Sequence, residues 1–257
     1  MLSKARFNYI LSLKRKKYRE THRKFLVEGY HLCTEAIRSD FEVETLLIAP
    51  ELLAKEKYTD LLNLASLKAI KVEKIEALDV RKLADTVNSQ GIFAIVEQKK
   101  FHLDDVIRSG FEFGIVIDAG QDPGNLGTII RTCDWFGVSA IFLGKGTVEL
   151  FNPKVVRSTM GSIFHLPIVE QLDLCDWLPR MKQLGYSIFG ADVNGTYAYH
   201  QVTYPRPLLM VIGNEHHGIR PKLYPYFDKL VKIPSYGKAE SLNMAVAAAL
   251  IISRIIN

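Results

Sequence analysis

Three glycine-rich segments of this 257-residue chain carry the residue types from which a ligand site can be built. They are Asp118 to Thr128 (DAGQDPGNLGT), which leads into a helical pattern holding Arg131, then Gly213 to Gly218 (GNEHHG), and Ile233 to Asn243 (IPSYGKAESLN). Each follows a short apolar run that reads as a strand, and in open α/β sheets ligands sit beyond the carboxyl ends of the strands. One rim would then offer backbone amides, one carboxylate, one guanidinium and two side-chain amides. Each segment alone also has a structural account, as a βα turn whose glycines supply positive φ.

Several familiar chemistries are excluded by spacing. Gly120, Gly124 and Gly127 are spaced GxxxGxxG rather than GxGxxG, and no GxxxxGK[ST] occurs, so neither a dinucleotide fingerprint nor a P-loop is present. His216 and His217 adjoin Glu215, but adjacent side chains on an extended segment diverge, and no metal-ligand spacing accompanies them. No metal is expected. Ser162 sits in no GxSxG elbow. Cys33, Cys133 and Cys175 are odd in number and far apart, which spells neither a disulfide framework nor a zinc knuckle and fits a reducing, cytoplasmic compartment.

The elements that must position these loops alternate. Strand-like runs at Ile115 to Ile117, Ala140 to Leu143, Ser187 to Phe189, Leu208 to Ile212 and Leu230 to Ile233 are separated by helical patterns at Leu126 to Phe136, Pro153 to Met160 and Leu174 to Leu184. Such βα alternation predicts a mainly parallel sheet flanked by helices. A final helix from about Leu242 to Ile256 is apolar on nearly every side, which predicts burial in the packing or at a subunit interface. Upstream, a basic helical opening, a helix from Tyr30 to Arg38 and runs at Val43 to Ile48 and Ile92 to Val96 read as a separate small α/β domain. The boundaries are a first domain over 1–98, a linker over 99–112 and a second domain over 113–257.

Composition is that of a globular chain, 48% hydrophobic and 24% charged. The longest apolar run, Met244 to Ile252, is far short of a membrane span of about 20 residues, so no membrane association is expected. The net charge of +5 is unevenly placed. Residues 1–25 hold nine Lys and Arg against the one acid Glu20, a net +8, which leaves −3 for the rest. Lys14, Arg15, Lys16, Lys17, Arg19 and Arg23 in this block are candidate contacts to a polyanion, RNA in particular, with a solvated helix face as the alternative.

Taken together, three segments resemble the motifs of the SpoU/TrmH branch of the SPOUT RNA methyltransferases. They are Asp122 to Arg131 (DPGNLGTIIR), Asn152 to Ser162 (NPKVVRSTMGS), and Ile233 to Asn243 with its Glu-Ser-Leu-Asn ending, and Gly213-Asn-Glu215 fits as well. They stand in the family's order over about residues 114–257. The basic opening, Phe25 to Gly29 (FLVEG) and Ser89 to Ile92 (SQGI) resemble the small RNA-binding domain, related to ribosomal proteins, that precedes many members.

The resemblance implies a C-terminal parallel-sheet domain with a deep trefoil knot, a homodimer formed through that domain, and S-adenosylmethionine as cofactor. It implies methylation of a ribose 2′-hydroxyl in RNA, with ribosomal RNA favoured over transfer RNA. A catalytically idle RNA-binding paralogue and a Rossmann-type nucleotide enzyme are the competing classes. By position, Gly213, Ile233 and Leu242 would bind the cofactor largely through backbone groups. Arg131 matches the arginine assigned to activating the hydroxyl. A guanidinium is a poor base, so two roles stand open for it: base, or fixer of a phosphate that polarises the hydroxyl. Asn125, Glu215, Ser241 and Asn243 complete the implied active site, with N-capping as the alternative for the last two. His216 and His217 depart from the family pattern, and Lys154 with Arg157 would face RNA, a partner subunit or solvent.

Overall fold

The computed structural model describes residues 2–257. In chain order, the first part comprises α1 (Lys4–Ser12), α2 (Lys16–His22), β1 (Lys24–Glu28), α3 (Tyr30–Arg38), β2 (Val43–Ile48), α4 (Thr59–Leu67), β3 (Lys71–Lys74), α5 (Ala77–Leu83) and β4 (Ile92–Glu97). The second comprises α6 (Leu103–Arg108), β5 (Phe113–Ile117), α7 (Pro123–Trp135), β6 (Ala140–Gly144), α8 (Pro153–Ser158), β7 (Ile168–Leu172), α9 (Leu174–Gln183), β8 (Ser187–Ala191), β9 (Tyr197–Ala198), β10 (Leu208–Ile212), β11 (Lys229–Lys232) and α10 (Met244–Ile256). Contacts divide the chain into two compact units, one of residues up to Lys99 with Phe151–His165, the other of Lys100–Leu150 with Leu166–Asn257.

In the first unit a four-stranded sheet runs β1-β4-β2-β3, with β4 antiparallel to both neighbours and β3 parallel to β2. Phe7, Ile10 and Leu13 of the basic opening pack with Leu47, Phe93 and Ile95 of the sheet. The segment Phe151–His165, assigned by sequence order to the second domain, packs here instead. Its reason is apolar: the rings of Phe151 and Phe25 lie 4.6 Å apart and those of Phe164 and Phe41 5.1 Å apart.

The second unit is built on a seven-stranded sheet ordered β7-β6-β5-β10-β8-β11-β9, and every recorded pairing in it is parallel. β5 (FGIVI), β6 (AIFLG) and β10 (LLMVI) are buried at every position, as central strands covered on both faces must be. The edges are a two-residue β9 and a half-exposed β7, short and polar enough to resist further pairing. Residues 99–112, expected as a linker, instead contain α6. Val106 and Phe111 enter the same core as Phe142, Trp177 and Leu178, which charge and glycine content had masked. Among the described residues no helix is long and apolar enough to cross a membrane, and all three cysteines are free.

Candidate active site

Register fixes where the three loops lie. Ile117 at the end of β5 pairs with Ile212 at the end of β10, which pairs with Ala191 at the end of β8, which pairs with Val231 of β11. The loops after β5, β10 and β11 therefore leave the same end of the sheet, the first two from neighbouring strands and the third one strand further on, beyond β8.

Glu215 ties the first two loops. Its Oε2 accepts from the Gln121 backbone N–H at 3.1 Å, and its Oε1 from the Asp122 N–H at 3.1 Å and from Asn125 Nδ2 at 3.2 Å. Burial pushes this carboxyl up, but the N–H groups of Gln121, Glu215 itself and Asp122, with the Asn125 amide, outweigh it and hold the group below its ordinary value. Glu215 is therefore a carboxylate at neutral pH. Asn125 in turn accepts at Oδ1 from Asn243 Nδ2 at 2.9 Å, which links the third loop. Asn243 also caps α10, its Oδ1 accepting from Ala245 and Val246 N–H, as Asp122 caps α7 through the Asn125 N–H at 2.8 Å. One chain of bonds thus runs Glu215–Asn125–Asn243.

Capping accounts for Asn243 in part but not for Ser241, which is exposed and lies outside the helix. Helix α10 accordingly starts at Met244 rather than Leu242. Arg131 lies six residues beyond Asn125 on α7, about 9 Å further along the axis at 1.5 Å per residue. It is exposed and has no hydrogen bond or ion pair among the described residues. Its cation is available to a ligand.

Sequence reading missed the clamp beneath this rim. Asp118, fully buried at the end of β5, accepts from Arg220 N–H at 2.8 Å and Nε at 2.6 Å and pairs with its guanidinium. A buried carboxylate after an apolar strand requires such a partner, which was the signal available. Asn214 adds a second tie: its Nδ2 donates to the Ala119 carbonyl at 2.7 Å, while its Oδ1 accepts from His216 and His217 N–H at 2.9 and 3.2 Å. The two histidines are thus presented by an Asx turn, side chains outward and exposed. At Gly213 an added Cβ would stand 2.2 Å from the Gly218 carbonyl carbon and 2.3 Å from Ile219 N. Only glycine permits that backbone approach.

The residues suit the implied cofactor. Residues 235–242 form no backbone hydrogen bond within the described chain, so their N–H and C=O groups are open to a ligand. Ile233 is half-buried and Leu242 49% exposed, so each leaves apolar surface uncovered, and the Glu215 carboxylate favours a cationic group nearby.

The pattern of the SpoU rRNA Methylase family matches residues 112–253. The chain belongs to this family. The MRM3-like substrate binding domain matches residues 4–94. Among similar proteins, a 23S rRNA (guanosine(2553)-2'-O)-methyltransferase of Bacillus subtilis is 33% identical, covering 92% of this chain and 90% of the relative. The SpoU methyltransferase AviRb of Streptomyces viridochromogenes, solved with AdoMet, superposes with a TM-score of 0.86 at 28% identity, covering 99% of this chain and 97% of that one. An AdoMet-bound rRNA methyltransferase of Sinorhizobium meliloti gives 0.87 at 27% identity, with coverage of 99% and 96%. The SpoU resemblance drawn from the motif segments is borne out. Within this SpoU chain, the second motif's Lys154 and Arg157 belong to the first compact unit, where Arg157 Nη1 lies 3.1 Å from Asp85.

The six candidate RNA contacts separate by burial. Arg19 is 3% exposed, and its Nη1 donates to the carbonyls of Leu13 and Lys14 at 3.0 and 2.8 Å. Lys14 Nζ reaches the carbonyls of Leu83 and Ala84 and pairs with Asp85 at 2.9 Å. Both hold the fold together. Arg15, Lys16, Lys17 and Arg23 are exposed.

Proposed function

We propose that this protein transfers the methyl group of S-adenosylmethionine to a ribose 2′-hydroxyl in RNA, ribosomal RNA in particular. The observation that carries the reading is the bonded chain Glu215–Asn125–Asn243 across three loops, with the unpaired cation of Arg131 on the same helix as Asn125. The cofactor supplies an already activated methyl group, so the protein's work is to position two reactants and handle one proton. Gly213, Ile233 and Leu242 hold the cofactor through backbone groups and apolar surface. Glu215 is engaged by three donors and acts as a positioning residue, not as the base. Arg131 fixes a phosphate and polarises the hydroxyl, since a guanidinium is a poor base, and the proton leaves to water or phosphate.

The first unit binds the substrate through the exposed cations of the basic opening, and the second unit, Lys100–Leu150 with Leu166–Asn257, carries catalysis. The ribosomal preference rests on the Bacillus subtilis relative's substrate. The trefoil-knotted C-terminal segment is what the family resemblance of residues 112–253 implies. Trp135 of α7 is 84% exposed, and Val246 and Leu250 of α10 are 49% and 40% exposed, on two helices that pack together. Such an apolar face supports a homodimer. The enzyme works in the cytoplasm, with its substrate.

The test is labelled methyl transfer to RNA from cells lacking this protein, followed by mapping of the modified nucleotide. Transfer to a ribose of ribosomal RNA is expected. Cofactor binding without transfer to any RNA would make the protein an idle paralogue, and transfer to transfer RNA alone would move the substrate class.

A further inference from the structure

The basic opening does more than carry charge. Helix α2 has the sequence KKYRETH, and Tyr18 stands 36% exposed among Arg15, Lys16, Lys17 and Arg23, all exposed. Tyr18 and His22 are four apart, so they share a helix face, with Arg15 three residues before Tyr18 on the same stripe. Their rings are nearly parallel, 13° between planes with centroids 6.3 Å apart. His22 meets Tyr9 edge-on at 5.0 Å, and the Arg6 guanidinium lies 5.2 Å from the Tyr9 ring. Arg6 is itself held by Glu44 at 2.7 Å. An aromatic series therefore runs outward from an anchored end and stops at Tyr18, whose ring ends the series within a cluster of cations. Buried Arg19 fixes the helix underneath by its bonds to the Leu13 and Lys14 carbonyls.

We propose that Tyr18 and His22 form a stacking platform for an unpaired RNA base, with Arg15, Lys16, Lys17 and Arg23 taking the flanking phosphates. The proposal rests on the reading of the first domain as RNA-binding and names the side chains that distinguish unpaired from paired RNA. Paired bases present no free face to a ring, whereas single-stranded segments splay bases onto aromatic side chains held in a positive groove. The charge fits, since Arg15, Lys16, Lys17 and Arg23 stand exposed around the ring with Glu20, 3.7 Å from Lys16, the one acid of the helix. An anionic membrane fits less well: a membrane-surface helix needs a broad apolar face, and this seven-residue helix has, beside its charges, the Tyr18 and His22 rings and Thr21, with no Leu, Ile, Val or Met.

The experiment uses the full-length protein, with binding followed by fluorescence anisotropy against a synthetic RNA hairpin with an unpaired loop and a fully paired duplex of equal length, over a salt series. Tyr18→Leu is expected to weaken hairpin binding by roughly tenfold or more, leaving duplex binding and the salt slope unchanged, while Tyr18→Phe binds as the wild type does. Replacing Arg15, Lys16, Lys17 and Arg23 by alanine weakens both probes and flattens the slope. Hairpin binding unchanged in Tyr18→Leu, with the alanine set still weakened, overturns the platform and leaves the RNA-binding reading intact. An alanine set with unchanged affinity and slope overturns that reading and the platform with it. Loss of binding to phosphatidylserine vesicles in Tyr18→Leu, with hairpin binding retained, would assign the helix to a lipid surface and overturn the proposal.

Discussion

Replacing Glu215 separates a carboxylate that organises the site from one that takes the proton. Its three hydrogen bonds come from two backbone N–H groups and the Asn125 amide. Bonds to a charged acceptor contribute about 1.5–3 kcal/mol each when buried. Glu215 is only half-buried, so about 1 kcal/mol each is the appropriate scale. Glu215→Ala then releases the Gln121 to Asn125 turn from the loop after β10 at a cost of about 3 kcal/mol in stability, and cofactor affinity falls by up to the roughly 150-fold that this energy corresponds to, the full loss being seen where binding must re-order the turn. Glu215→Gln keeps the bonds at Oε1, sets an amide against the Gln121 N–H, and costs about 1 kcal/mol, or roughly fivefold.

Calorimetric titration with S-adenosylmethionine and thermal unfolding of the three proteins measure both quantities. The pH dependence has a definite sign. Because the donors lower the native pKa of Glu215, its stabilisation is complete above the unfolded carboxyl value of about 4.3 and is lost as pH falls through the lower native value. The gap in stability between wild type and Glu215→Gln is therefore full at neutral pH and closes in acid. Transfer abolished in Glu215→Gln with cofactor affinity and melting temperature unchanged would refute the organising role. A gap that widens toward low pH would refute the electrostatic argument.

Arg131→Ala should abolish methyl transfer while melting within about 0.5 kcal/mol of wild type, since no contact is lost, and cofactor affinity should stay within about tenfold; retained transfer removes Arg131 from the mechanism. Gly213→Ala should cost about 3 kcal/mol or more in a denaturant melt and lose cofactor binding, because its Cβ meets backbone rather than a movable side chain. Arg19→Ala should lower stability by about 2 kcal/mol, leaving two carbonyls unpaired, whereas alanine at Arg15, Lys16, Lys17 and Arg23 should leave the melt unchanged. Trp135→Asp should convert a dimer to a monomer in sedimentation analysis; an unchanged mass would discard the apolar face of α7 and α10 as the interface.

Much of this protein is legible in its amino-acid pattern alone. Where an element was a continuous apolar run buried throughout, as in Leu208–Ile212, its place and boundaries were legible, because burial on both faces leaves no polar residue to blur them; β5 and β8 run two residues beyond their apolar cores as read from the sequence. The motif residues Asn125, Glu215 and Asn243 were legible as types and order. Their bonds were not, since Glu215 and Asn125 are 90 residues apart and Asn243 a further 28 from Glu215; only parallel register beside β5 and β10 brings them together. The exposed Arg15 and the buried Arg19 looked alike in a basic block; Arg15 stands outside α2 as its N-cap, while Arg19 inside the helix reaches back to the Leu13 and Lys14 carbonyls. The Phe151–His165 segment and helix α6 changed place for the same reason. Local pattern records what a residue prefers, while its neighbours across the chain decide whether that preference is met by the core, by a partner side chain or by a ligand.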